Sequence, residues 1–296
     1  VTPEFLLNFD SRLKSKASIY TYSKLIMKFI RWVDDNGIPR VAVNKQVIIR
    51  YAEELKDSKY KNTSINNSLK AIKRFYRMLQ SKDPDIINPV EGIEYYKEPK
   101  PSAKHKWLNE EQLKCIYRIL KSDTSERGLR NLAIFHVLVM TGLRASELCS
   151  LTMDDIIYQD GKPVEIKVKG KGDKERLVEF DEFVLAPIKA HHKTMGLSQG
   201  GHFFYTIPTN SNQQRRPMNR FDIRYTVKSI GKKIGVDLTT HYLRHTFSCQ
   251  ALKRGASLVA IKNRLGHSAI TTTEQYYIHA EDKCLEHLRF DFIKND

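Results

Sequence analysis

Apolar residues recur at helical spacing through most of the first 80 positions. Ile19, Tyr22, Ile26, Phe29 and Val33 mark one stripe, which Asn36-Gly37 closes. Asn44 stands at a cap position ahead of a segment that reads as helix to Leu55. Ile65, Leu69, Ile72, Phe75 and Leu79 form a second stripe. This spacing predicts an all-helical first domain over roughly residues 1–95. Tyr20, Tyr22 and Tyr76 fit its core or rim better than a base-stacking role.

The periodicity breaks over residues 81–106. Asp83-Pro84, Asn88-Pro89 and the run Lys97-Glu98-Pro99-Lys100-Pro101-Ser102 bias the backbone toward extended conformations. The stretch reads as the connection between domains, with 96–106 as the linker proper. A second domain then spans 107–296, opening at Trp107. Asn109 and Gln112 have capping-box spacing for a helix to about Leu120. Residues 127–141 form a strongly apolar helix ended by Gly142. A short helix from about Ala145 puts Arg144 at a helix start, where backbone N–H groups and the dipole favour an anion.

Val164, Ile166 and Val168 alternate with polar residues, and Leu177, Val178 and Phe180 follow a Gly-rich turn. That pattern predicts an antiparallel hairpin with Lys171 at its tip. From Glu182 onward the chain reads as mostly helical, with Phe203-Phe204-Tyr205 packing a loop and His191-His192 at the surface. A final helix, about Asp282–Phe292, leaves Leu285, Leu288 and Phe292 for something to cover. The fold class expected is mainly α: a helical domain plus a mixed α/β domain with a small antiparallel sheet.

Charge narrows the partner. Lys and Arg outnumber Asp and Glu by 50 to 34, a formal net charge of +16 over 296 residues. Such an excess favours nucleic acid, because no basic amphipathic anchor and no membrane-length apolar run stand out. Lys70, Lys73, Arg74 and Arg77 lie beside the second apolar stripe and are candidates for contacting phosphates. Lys97 and Lys100 in the linker, and Arg215, Arg216 and Arg220 further on, extend that candidate surface. Cys115, Cys149, Cys249 and Cys284 lack C-x-x-C spacing and read as buried free thiols, so neither disulfides nor a metal site is expected. Metal-dependent nucleases need clustered carboxylates, and the Asp154-Asp155 pair lies where a strand should begin, so metal chemistry is not expected.

The remaining candidates cluster in four motifs. His241 and Arg244 share one helix face; Leu265-Gly266-His267 follows, and Tyr276 comes nine residues after that histidine. Upstream stand Thr141-Gly142-Leu143-Arg144-Ala145-Ser146-Glu147-Leu148 and Gly170-Lys171-Gly172-Asp173-Lys174-Glu175-Arg176. In this order the segments resemble the tyrosine recombinases, the lambda-integrase-like site-specific DNA recombinases that include the Xer-type proteins. The resemblance is strong in 139–180 and 239–280 and only architectural in the amino-terminal half.

The resemblance implies Tyr276 as nucleophile toward a DNA phosphate, with Arg144 and Arg244 stabilising the charge that develops on it. It implies Lys171 as donor to the leaving sugar oxygen, His241 as an aid to proton transfer at the tyrosine, and His267 as a donor to a phosphate oxygen. Glu147 would orient these groups. Tyr277 remains a rival for Tyr276. The implied partner is a double-stranded recombination site held by four protomers on two duplexes, with the C-terminal helix exchanged between neighbours and no cofactor. A cytoplasmic, nucleoid-associated enzyme of prokaryotic, phage or mobile-element origin is expected. With no arm-binding region ahead of the first helices, the simpler Xer-like or transposon-resolvase type is favoured. A non-catalytic DNA-binding protein and a type IB topoisomerase are the competing readings.

Overall fold

The computed structural model describes residues 16–98, 107–170, 174–197, 200–210 and 212–266. The chain divides into two compact units, with the boundary between Ala103 and Lys104.

The first unit is helical. α1 (Lys16–Asp35), α2 (Lys45–Asp57) and α3 (Asn62–Gln80) are accompanied by one 3-10 turn, Arg40–Ala42. Asn44 caps α2, its side-chain oxygen accepting from the backbone N–H groups of Gln46 and Val47. α1 and α2 both pack on α3. Ile26, Phe29, Val33, Ile48, Tyr51, Ile65, Leu69 and Ile72 form the buried core. Here helical spacing was sufficient, because each helix has one apolar face to bury.

Residues 81–98 correct the linker reading. This segment is neither helix nor strand, yet it is fastened to its own unit. Asn88 donates to the Lys73 carbonyl at 3.1 Å, and Val90 is 1% exposed. The Asn66 amide clasps the Tyr96 backbone in both directions, each bond 2.9 Å long. The X-Pro steps exclude helix without preventing packing, since asparagine side chains supply the missing hydrogen bonds.

The second unit is built around α5 (Glu126–Thr141), buried over most of its circumference. α4 (Glu110–Lys121), α7 (Glu182–Thr194), α8 (Arg220–Lys232) and α9 (Thr240–Lys253) pack on it. The α4 capping box forms reciprocally between Asn109 and Gln112. α6 (Ala145–Leu148) is a single turn, and α10 (Leu258–Leu265) follows α9. The predicted hairpin is present as β2 (Lys162–Lys169) and β3 (Glu175–Glu179), pairing Ile166 with Val178 and Lys169 with Glu175. A third antiparallel strand, β1 (Ile156–Gln159), joins it through an Asp160-Gly161 turn, both residues at positive φ.

Two further expectations are overturned. His191 and His192 are buried at 0% and 4% exposure, not at the surface. The loop carrying Phe203 and Phe204 covers them: the His192 ring bonds the Phe203 carbonyl at 3.0 Å, and His191 stacks on Phe204. Cys115 is exposed, because Leu113, Ile116, Tyr117 and Leu120 take the inner face of α4. Cys149 and Cys249 are partly buried, and burial raises the Cys149 thiol pKa. Among the described residues no group of three or more His, Cys, Asp or Glu could hold a metal, and no helix is long and apolar enough to cross a membrane. Cys284 and the predicted 282–292 helix lie outside the described residues.

Candidate active site

The site begins where α5 stops. Gly142 takes a left-handed conformation (φ +65°) that turns the chain toward Arg144. A Cβ there would stand 2.7 Å from both Leu265 and Phe247, so only glycine lets the ends of α5 and α10 approach α9. The Gly142 carbonyl accepts from Arg244 Nη1 at 2.7 Å, and Arg244 Nη2 donates to the Leu265 carbonyl at 2.7 Å. Arg244, only 6% exposed, thus fastens together three helices. Burial first, and the neighbouring Arg144 charge second, lower its pKa to about 9, so it remains a cation at neutral pH.

Arg144 meets it from the other side. Its Nη1 donates to Glu147 Oε1 at 2.7 Å and to the Leu265 carbonyl at 3.3 Å. At 32% exposure the guanidinium retains an open face. The expectation that the helix start itself presents donors to an anion is not met. The Arg144 N–H already donates to Glu147 Oε2 at 2.8 Å, and α6 is one turn long. What Arg144 offers a phosphate is its side chain.

Glu147 is 3% exposed and accepts from Arg144 and, through both oxygens, from Arg176 at 3.0 Å. Burial alone would raise its pKa, but the bonds from Arg176 and Arg144 outweigh that and leave it lowered. It stays a carboxylate among three guanidinium groups, so the locality is net positive and suited to a phosphodiester. His241 is exposed in the first turn of α9. Partial desolvation, then the charges of Arg244, Arg224 and Arg144, pull its pKa below the ordinary 6.5. At neutral pH it is an uncharged imidazole able to accept a proton.

Arg144, Glu147, His241 and Arg244 are therefore brought together. Lys171, His267 and Tyr276 lie outside the described residues, as does Lys100. Sequence reasoning gave no role to Arg176 or Arg264. The latter donates to Glu179 at 2.7 Å and to the Met140 carbonyl at 3.3 Å, tying α10 to β3 and α5. Arg176 had a signal, as the last residue of the Gly-Lys-Gly motif, but its partners are remote in sequence.

The proposed DNA-binding cations are more committed to the protein than their sequence positions suggested. Lys73 and Arg77 reach Glu91 at 3.0 and 3.6 Å, while Lys70 sits over the Tyr95 ring and Arg74 over Tyr22. Arg215 pairs with Glu126, Arg216 pairs with Asp222 at 2.7 Å, and Arg220 lies over Phe221. Lys97 is exposed, its carbonyl accepting from Asn62 at 2.7 Å.

Comparison with known proteins decides the family. The model of the phage integrase family matches residues 106–283, and that of the phage integrase N-terminal SAM-like domain matches residues 5–83. The chain belongs to the phage integrase family. Within that family it is a Xer-like tyrosine recombinase, an enzyme of site-specific DNA recombination. The tyrosine recombinase XerD of Rickettsia conorii is 29% identical over 299 residues, covering 96% of this chain and 95% of that protein. XerA of Thermococcus kodakarensis is 28% identical over 290 residues, 98% of this chain and 93% of its own length. The integrase-family fold is shared with the XerH recombinase bound to its difH substrate before cleavage (TM-score 0.69, 19% identity, 89% of this chain and 77% of that one). It is shared too with a lambda integrase dimer on a COC' core site (TM-score 0.67, 18% identity, 92% and 75%).

Proposed function

We propose that this integrase-family chain cuts and rejoins DNA through a covalent 3'-phosphotyrosine on Tyr276, exchanging strands by way of a Holliday junction. The convergence of Arg144 and Arg244 on the Leu265 carbonyl, two residues ahead of His267, carries this reading. The Tyr276 oxygen attacks phosphorus, the P–O bond to the 5'-sugar oxygen breaks, and the bond energy is kept in the new ester. Neutral His241 takes the phenol proton, and Lys171 gives one to the departing sugar oxygen. Arg144, Arg244 and His267 donate to the non-bridging oxygens, where two arginine forks suit the planar, charged transition state.

The helical first unit, with Lys70, Lys73, Arg74, Arg77, Lys97 and Lys100, and the second unit, with Arg215, Arg216 and Arg220, would each contact the duplex. Four protomers on two duplexes would make the active assembly, each lending its C-terminal segment to a neighbour, in the cytoplasm of a prokaryotic or mobile-element host. No metal ion enters the scheme. The test is strand exchange between two labelled duplexes carrying a site selected from genomic fragments, in EDTA. Recombinant strands and a four-way intermediate are expected; relaxation of supercoils without exchange would favour topoisomerase action instead.

A further inference from the structure

We propose that Arg176 is a positioning residue that holds the catalytic segments of this recombinase in register, an inference resting on the site reading above. Its side chain is 14% exposed, and each of its three nitrogens already donates to a protein acceptor. Nη1 and Nη2 meet the two Glu147 oxygens at 3.0 Å, and Nε meets the Arg264 carbonyl at 2.9 Å. Three of its five N–H donors are thereby committed to the protein. It braces Glu147, which in turn holds Arg144 by its backbone and its side chain.

The Nε bond fastens the last turn of α10, next to the Leu265 carbonyl on which Arg144 and Arg244 converge. Two glycines flank the same guanidinium. A Cβ on Gly266 would stand 3.2 Å from Arg176 Cδ, and one on Gly170 would stand 3.5 Å from its Nη1. Gly170 immediately precedes Lys171, and Gly266 immediately precedes His267. One side chain thus lies against the backbone leading into two proposed catalytic residues while it braces a third. Because Arg176 pairs with Val168 across the β2–β3 ladder, the brace is anchored in the hairpin itself. A lysine could keep the charge but not the fork, which spans two carboxylate oxygens and a carbonyl at once.

Wild-type chain, Arg176→Ala, Arg176→Lys and the double variant Arg176→Ala/Glu147→Gln are compared on a nicked suicide duplex. Affinity, thermal melting and the single-turnover cleavage rate against pH are measured. Arg176→Ala is expected to bind DNA normally and cleave about 100-fold more slowly, the cost of a misplaced catalytic group. Arg176→Lys should recover part of that rate. A fall in cleavage set by Glu147 protonation, separate from the His241 limb, should move to higher pH in Arg176→Ala, because Glu147 loses its main charged partner, and the double variant should lose that shift.

A folded Arg176→Ala that cleaves at the wild-type rate, or whose defect lies wholly in affinity, overturns the proposal. Should Arg176→Ala not fold, Arg176→Lys decides: wild-type cleavage by it overturns the proposal, and slower cleavage at unchanged affinity supports it. Wild-type protein that binds its site without forming a tyrosine adduct would refute the underlying site reading, and this inference with it.

Discussion

Arg144 and Arg244 donate to one carbonyl oxygen, that of Leu265, at 3.3 and 2.7 Å. Two cations sharing one neutral acceptor are held close without being neutralised by it, and among the described residues Glu147 offsets them. A phosphodiester brought to the open face of Arg144 would find charge already in place, with no reorganisation needed at the moment of reaction.

Arg244 should be indispensable in two separable ways. Arg244→Ala strips the side-chain donor from the Gly142 carbonyl, which should cost about 1–3 kcal/mol, and leaves the Leu265 carbonyl only the longer bond from Arg144. It should also slow cleavage by about 100-fold or more through loss of transition-state charge. Denaturant unfolding and single-turnover cleavage measure the two effects. Loss of cleavage with stability unchanged would show that the buried bonds contribute little.

The pH dependence should report His241. A base is useful only while unprotonated, so cleavage should fall as pH drops through the His241 pKa, below the ordinary 6.5. Removing a neighbouring cation with Arg144→Ala should move that acid limb upward, since less positive charge opposes imidazole protonation. His241→Asn should flatten the limb. A limb unmoved in the Arg144 variant would assign it to another group.

Stability should fall in acid because of His191. Burial first, then neighbouring His192 and Arg130, lower its pKa from 6.5 to about 4, and neither ring nitrogen has a hydrogen-bond partner among the described residues. In the unfolded chain the ring binds a proton near its ordinary value, so the unfolded state gains as pH falls from 6.5 toward 4. His136, lowered to about 4 mainly by burial, adds to the same window. Melting temperature should drop across that interval, and His191→Phe should reduce the drop by letting the ring stack on Phe204 without a titratable group.

Gly142→Ala is expected to be harmful out of proportion to one methyl. The new Cβ would meet Leu265 and Phe247 at 2.7 Å in a left-handed conformation. Overpacking of this kind costs about 1–3 kcal/mol. Displacement of the Gly142 carbonyl from Arg244 should lower cleavage as well. Unfolding and cleavage assays on this variant would show whether the turn is passive.

How far the sequence could be read depended on the range of the interaction. The α1 and α3 stripes, the Asn44 cap, the Asn109–Gln112 box and the β2–β3 hairpin are local patterns, and they appear where expected. Asn66 with Tyr96, Arg176 with Glu147 and His192 with Phe203 are not local: each joins elements whose approach no spacing reveals. That is why a docked segment passed for a linker and two buried histidines for surface ones. The grouping of Arg144, Glu147, His241 and Arg244 was legible only through the resemblance carried by their motifs. Helical periodicity by itself placed His241 and Arg244 on one face and went no further.

The measurement that bears most directly on the central claim is the identity of the residue joined to DNA. The chain would be incubated in EDTA with a nicked suicide duplex carrying its site, then digested, and the DNA-linked peptide sequenced by mass spectrometry. A 3'-phosphate ester on Tyr276 is the expected result. An adduct on Tyr277, or binding to a proven site with no adduct on any tyrosine, would contradict it.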